Sequence, residues 1–166
     1  MKRTHLSACL IAITFGCSGC ATVNGARPEA VAAEEVRMIV DHIAHGSLTT
    51  EQLAAKLGAR SEPQAARGKG TSMRSPLWRI EVKRQTEDEK SPVAEVTFYP
   101  EAPLRLALGD LSALGTWKLI RQSKTSTVRF DYGQLGAAAV VVYVELKFPP
   151  NDLRSPVVWV RVRLQS

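Results

Sequence analysis

The chain has 166 residues, a length that suits one globular domain and is too short for two. Apolar residues make up 45% of it and charged residues 23%, which is close to the globular average. This composition excludes an intrinsically disordered chain. The formal charge is +6, and without Lys2 and Arg3 it falls by two to +4. The excess is scattered, and no cluster of Lys and Arg alternates with aromatic residues. We therefore predict no nucleic-acid partner and only a weak preference for acidic partners or anionic surfaces.

The start of the chain has the three parts of a secretory signal. Lys2 and Arg3 form a positive segment, residues 6–15 form an apolar stretch, and small residues follow before Cys20. A helix of about ten apolar residues is only about 15 Å long, roughly half the thickness of the hydrocarbon core of a bilayer. We therefore predict a signal peptide over residues 1–19 rather than a transmembrane helix.

The end of this signal, Cys17-Ser18-Gly19-Cys20, resembles the bacterial lipobox. The resemblance implies cleavage before Cys20, attachment of lipid to that cysteine and anchorage in a membrane. Ala21 follows, and similarity to Gram-negative lipoproteins then implies the periplasmic face of the outer membrane. Cys17 stands where leucine is usual and is a rival acceptor, but Phe15 occupies a position where the pattern has a small residue. The alternatives are an uncleaved apolar anchor and an ordinary secretory signal.

The residues that follow the predicted cleavage site indicate a tether and two helices. Residues 20–28 are small and polar and predict a flexible tether, and residues 29–166 are predicted to form a single domain. Apolar residues then recur at spacings of three and four, which predicts a helix that ends at Gly46. These residues are Ala32, Val36, Ile39, Val40 and Ile43. A second helix is predicted to begin at Thr49, where Thr49 and Gln52 can form a capping box, and to end at Gly58.

The second predicted helix carries a family resemblance. The segment from Gly46 to Leu53, followed by Leu57 and Gly58, resembles the G-x-T-x-x-Q-V-x-x-x-L-G helix of small outer-membrane lipoproteins of the SmpA/BamE type. The resemblance implies paired helices packed on a small antiparallel sheet, and a place in the machinery that assembles outer-membrane barrels. The strands predicted after Thr125 exceed the sheet of that family.

The rest of the chain shows the two-residue period of β-strands. Residues 59–76 lack periodicity and predict a long loop, and a β-hairpin begins at Trp78 with a polar turn over residues 86–92. A short helix that ends at Gly115 precedes three more alternating runs and a last strand over residues 156–164. We predict an α+β fold, with an N-terminal helix pair packed on one face of an antiparallel β-sheet of about five to six strands.

A faint internal repeat links residues 48–58 and 106–115. Both segments contain leucines at similar spacings and end in glycine, and each is followed by a strand that contains tryptophan. A duplicated helix-and-sheet unit is one interpretation. We favour coincidence, because a true repeat should match at more positions.

The sequence lacks the motifs that carry common enzymatic chemistries. It contains no G-x-S-x-G, no P-loop and no G-x-G-x-x-G. His42 and His45 lie beside Asp41, but no other ligands accompany them, so a solvated helix end is the simpler interpretation. We predict no enzymatic activity, no metal and no cofactor. An enzyme that uses scattered carboxylates, such as Glu87 and Glu89, is an alternative.

Binding has better candidates than catalysis. The alternation of the last strand turns four apolar residues towards the core: Val158, Val160, Val162 and Leu164. It places Trp159, Arg161 and Arg163 on the opposite, polar face. With Trp117 and Trp78, these residues are the predicted partner contacts, because Trp and Arg dominate the energetics of interfaces. The alternatives are that the 59–76 loop covers this face or that the register is reversed.

These features predict a non-enzymatic, lipid-anchored periplasmic module that binds a protein partner, with envelope assembly or maintenance as its role. The alternative is an inhibitor or immunity protein that blocks a toxin or a cell-wall hydrolase. Both hypotheses fit a small, tethered domain without a cofactor.

Overall fold

The computed structural model describes residues 26–46, 48–62, 70–135, 138–150 and 152–165. The helices are α1 (Pro28–Ala44), α2 (Thr50–Leu57) and a 3₁₀ helix (Leu108–Leu114). The strands are β1 (Arg60–Ser61), β2 (Gly70–Arg74), β3 (Trp78–Arg84), β4 (Val93–Pro100), β5 (Trp117–Gln122), β6 (Ser126–Leu135), β7 (Ala138–Leu146) and β8 (Val157–Gln165). The predicted signal peptide, Cys20 and most of the predicted tether lie outside the described residues. None of the helices described is both long and apolar enough to cross a membrane.

The strands form one antiparallel eight-stranded sheet in the order β1-β2-β3-β4-β8-β7-β6-β5. The sheet consists of two four-stranded meanders, β1–β4 and β5–β8, which join where β4 pairs with β8. At this junction Val96 lies opposite Val162, and Thr97 lies opposite Arg161. We call the face that carries Val96 and Val162 the inner face, and the face that carries Thr97 and Arg161 the outer face.

The helices and the inner face enclose the hydrophobic core. The apolar stripe of α1 is buried as predicted, and α1 contacts β6, β7 and β8. The predicted capping box of α2 is confirmed: the Gln52 backbone N–H donates to Thr49 Oγ1 (3.2 Å) and the Thr49 N–H donates to Gln52 Oε1 (2.9 Å). Gly58 follows α2 with a φ of 57°, a left-handed conformation that glycine adopts without strain.

The α+β class is confirmed, but the sheet is larger than predicted and the helices are not confined to the N-terminus. The extra strands, β1 and β2, lie within the segment that we predicted as a long loop. β1 exposes both residues, and β2 buries only Met73, so neither strand shows the alternation that identifies a half-buried strand. Residues 63–69 of that segment lie outside the described residues. The 3₁₀ helix, in the middle of the chain, adds Leu108, Leu111 and Leu114 to the core.

A β-bulge changes the predicted alternation at the start of β8. The pairing with β7 shifts register between Glu145 and Leu146, so Val157 turns inward in place of Val158. Val158 is 39% exposed, and the prediction that it faces the core is wrong. Beyond the bulge the predicted alternation holds.

The two meanders share a topology without sharing a sequence pattern. Each follows one of the leucine-containing segments of the faint repeat. However, Trp78 begins the third strand of the first meander, whereas Trp117 begins the first strand of the second. The two tryptophans are therefore not equivalent, and coincidence remains our interpretation of the sequence match.

Candidate functional site

Trp78 is a core residue, and its prediction as a partner contact is wrong. Its exposed fraction is 0%, because it shares the inner-face alternation of Ile80. Its ring meets that of Phe98 edge to face, with the centroids 5.3 Å apart. Its indole N–H donates to Glu35 Oε2 of α1 at 2.7 Å, which satisfies the one polar group of a buried tryptophan.

Trp117 also lies away from the outer face. It is paired with Phe130 of β6, an inner-face residue, and it is half-buried against the edge of the core. The structure therefore separates the three predicted tryptophans, and only Trp159 remains on the polar face.

Trp159, Arg161 and Arg163 lie together on the outer face, as the alternation of β8 predicts. The Arg161 guanidinium carbon lies 4.8 Å from the centre of the Trp159 ring, a cation–π arrangement in which Trp159 is half-buried. Tyr143 of β7 is opposite Arg161 in the register. We call Trp159, Arg161, Arg163 and Tyr143 the arginine–tryptophan patch.

A single carboxylate organises the cations beside this patch. The side chain of Glu95 on β4 is 11% exposed and lies 2.8 Å from Lys83, 3.7 Å from Arg161 and 3.9 Å from Arg163. Arg161 Nε also donates to Thr97 Oγ1 at 3.2 Å. These contacts restrain two arginine side chains before any partner binds, which reduces the entropy lost in binding.

The patch covers apolar surface that is separate from the core. Val141 on β7 lies on the outer face, opposite Arg163, yet it is only 1% exposed and does not belong to the main core. A shallow groove of about 290 Å³ adjoins the patch, and its lining includes Trp159, Arg161, Tyr143 and Ile120. Sequence reasoning missed Val141, although the unbroken apolar run of β7 is typical of a strand that is buried on both faces.

The outer face has an excess of positive charge. From β3 to β8 the register places seven cations there: Arg79, Lys83, Lys118, Arg121, Arg129, Arg161 and Arg163. Four acids accompany them: Glu81, Glu95, Asp131 and Glu145. An excess of this sign complements an acidic partner surface and speeds its association.

The outer face has the predicted register, and the described residues of the 59–76 segment do not cover it. The register is not reversed, because Val160 and Val162 are buried and Trp159 is not. The described parts of residues 59–76 include β1 and β2 at one end of the sheet, so they extend the sheet instead of lying over its outer face.

The histidines do not assemble into a site within the described ranges. His45 Nδ1 lies 2.6 Å from the Asp41 carbonyl oxygen of its own helix, and Asp41 Oδ1 accepts a hydrogen bond from the Tyr132 hydroxyl, also at 2.6 Å. In the part of the chain that the structure describes, no three His, Cys, Asp or Glu residues converge as metal ligands. Asp41 thus has a structural role, because it joins α1 to β6.

The contact between Glu35 and Trp78 predicts a pH dependence of stability. Burial raises the pKa of Glu35 above its usual 4.5, and the hydrogen bond from Trp78 opposes this shift only in part. The folded chain therefore binds this proton more tightly than the unfolded chain. The contribution to stability is complete below about pH 4.5 and is lost as the pH rises through the raised pKa.

Glu35→Gln is expected to remove this pH dependence and to gain stability relative to the wild type as the pH rises from 5 to 8. A glutamine carbonyl can still accept the Trp78 N–H. Glu35→Ala, the control, leaves that buried donor without a partner and should cost about 1–3 kcal/mol at every pH. Urea denaturation across this pH range measures both effects. Parallel pH profiles for Glu35→Gln and the wild type would contradict the assignment.

No protein-family model matches the chain, and no curated protein or solved structure is significantly similar to it.

Proposed function

We propose that this protein is a lipid-anchored periplasmic module that binds a protein partner through the outer face of its sheet. It acts without catalysis, in the assembly or maintenance of the envelope. Cys20 carries the lipid, and the outer membrane holds the module on its periplasmic side. The arginine–tryptophan patch is the centre of the binding surface.

The observation that carries the proposal is the position of Trp159. It is a half-buried tryptophan under Arg161, on a face that no described segment covers. Trp, Tyr and Arg are the residues most enriched among those that dominate binding energy, and the patch consists of these three types alone. Glu95 restrains Arg161, and Val141 is buried on the same face. The patch is therefore ordered before a partner binds.

The position of the first described residue supports binding through the outer face. The first described residue, Ala26, lines a groove with Met38 of α1 and Lys56 of α2, on the helix side of the sheet. The described chain therefore begins on the side of the sheet opposite the outer face. The arginine–tryptophan patch faces away from Ala26.

The cationic excess of the outer face favours a second candidate, an inhibitor or immunity protein that blocks the acidic cleft of a toxin or cell-wall hydrolase. The two candidates differ in the number of partners. Affinity purification of the tagged, lipidated chain from detergent-solubilised envelopes, followed by mass spectrometry, separates them. Several envelope-assembly components recovered together would favour the scaffold, and a single stoichiometric hydrolase or toxin would favour the inhibitor.

Trp159→Ala is expected to reduce recovery of the partner by at least about tenfold, since a residue of this kind at an interface contributes about 2 kcal/mol or more. Phe148→Ala is the matched control. Phe148 is another exposed aromatic residue with a cation near its ring, Lys147 at 5.7 Å, but it follows the end of β7. The measurement is the same purification, with quantification of the partner.

Two outcomes would count against the proposal. Equal partner recovery by Trp159→Ala and wild type would remove the patch from the interface. Loss of the folded state in Trp159→Ala, seen by circular dichroism, would show that Trp159 serves the fold instead.

A further inference from the structure

The two edges of the sheet differ in length. β1, at one edge, has two residues, whereas β5, at the other, has six. Among the strands that the structure describes, β5 pairs only with β6, so its other side is open. An open strand edge presents backbone N–H and C=O groups that can pair with a further strand.

The β5 edge also exposes apolar side chains. Leu119 is 43% exposed although it is paired with an inner-face residue of β6, Val128. Ile120 is 55% exposed, lies at a β-bulge and lines the groove beside Trp159. The edge is thus continuous with the arginine–tryptophan patch.

Positive charge restricts what can pair with this edge. Lys118 and Arg121 project from β5 on the outer face, on either side of Ile120. Lys118 approaches Asp131 at 3.8 Å, and Arg121 has no acidic contact within the described ranges. Arg121 is therefore available to a carboxylate on an added strand, and Lys118, whose side chain is 76% exposed, can reach one by leaving its long contact with Asp131.

The same charges disfavour one pairing of β5 with a second copy of itself. In the antiparallel register that places Leu119 opposite Ile120, Lys118 would lie opposite Arg121. Like charges directly opposite each other on paired strands are destabilising. Carboxylates at these positions would instead form favourable cross-strand pairs.

We propose that β5 accepts an added strand from the protein partner, and that this strand is an extended segment with acidic and apolar residues in alternation. Backbone hydrogen bonds to β5 supply affinity, while Lys118 and Arg121 select the acidic residues. The apolar residues cover Leu119. This inference rests on the proposed function for one point, that the partner is a protein. It adds how the partner is recognised, by pairing of a strand with β5.

The test uses the full chain in detergent and three synthetic peptides. The first alternates Glu and Val. The second has the same sequence with two consecutive central amide nitrogens methylated, which blocks hydrogen bonding on both edges of a strand. The third alternates Lys and Val. Binding is followed by fluorescence anisotropy, and hydrogen exchange locates the protected amides.

We expect the Glu–Val peptide to bind and to slow exchange of the β5 amides. The methylated peptide should bind at least about tenfold more weakly, and the Lys–Val peptide should give no protection, because each lacks one of the two required interactions. Leu119→Glu should weaken binding of the Glu–Val peptide by about tenfold. Leu153→Glu, the same change at a residue that is 59% exposed in the β7–β8 connection, should not.

Several results would overturn the inference. These are equal binding of the methylated peptide, protection outside β5, no binding at millimolar peptide, or β5 protection by self-association without peptide. If Leu119→Glu does not fold, the comparison of the peptides on the unchanged chain still decides the question. Failure here would leave the purification with Trp159→Ala as a separate test of the proposed function.

Discussion

Replacement of Trp78 by alanine is expected to lower the free energy of unfolding by about 3–5 kcal/mol and the Tm by about 10–20 °C. Trp78 is fully buried against Phe98, so alanine would leave a cavity between α1 and the sheet. It would also remove the N–H group that donates to Glu35. Thermal and urea denaturation followed by circular dichroism measure the loss.

Two further variants test the reason for this loss. Trp78→Phe keeps an aromatic ring beside Phe98 but cannot donate to Glu35, and it is expected to cost about 1–3 kcal/mol. Trp159→Ala removes a tryptophan from the outer face and should cost less than about 1 kcal/mol. Equal losses for Trp78→Ala and Trp159→Ala would contradict the faces that the structure assigns to them.

The second large effect concerns the lipid anchor. Cys20→Ala is expected to abolish incorporation of lipid and to leave the precursor uncut, because the lipobox resemblance makes Cys20 both the lipid acceptor and the first residue of the mature chain. Metabolic labelling with a fatty acid and gel mobility of the precursor measure this effect. No processed, membrane-associated form should therefore accumulate in this variant.

Cys17→Ala is the matched control, since Cys17 lies three residues earlier in the same segment. This variant should still be lipidated and cut. Normal maturation of Cys20→Ala, or loss of labelling in Cys17→Ala alone, would transfer the anchor to Cys17. Cleavage without lipid in the wild type would make the signal an ordinary secretory one.

The local signals in the sequence predicted the helices well. The α1 stripe is buried, and the Thr49–Gln52 capping box forms both of its hydrogen bonds, because each depends only on residues close together in the chain. The alternation of β8 likewise placed Trp159 on the outer face. What it could not show is the bulge at Val158, since a bulge depends on the pairing with β7.

The prediction errors have physical causes that differ from one another. β1 and β2 were missed because these two strands at the end of the sheet bury only one side chain, and Met73 alone gives no period. Trp78 was assigned to an interface on its residue type, although its alternation with Ile80 and Val82 already indicated burial. The outer-face position of Val141 and the role of Glu95 depend on strand order, which periodicity does not reveal.

The strand order also has a consequence for biosynthesis. β8 is the last of the described strands along the chain, yet it lies in the middle of the sheet, between β4 and β7. The two meanders therefore have no shared strand pair until β8 has been made, and contacts this distant in sequence form slowly. The complete sheet therefore cannot form until the last strand has been made. Such a delay would suit export in an unfolded state, which the proposed periplasmic location would require.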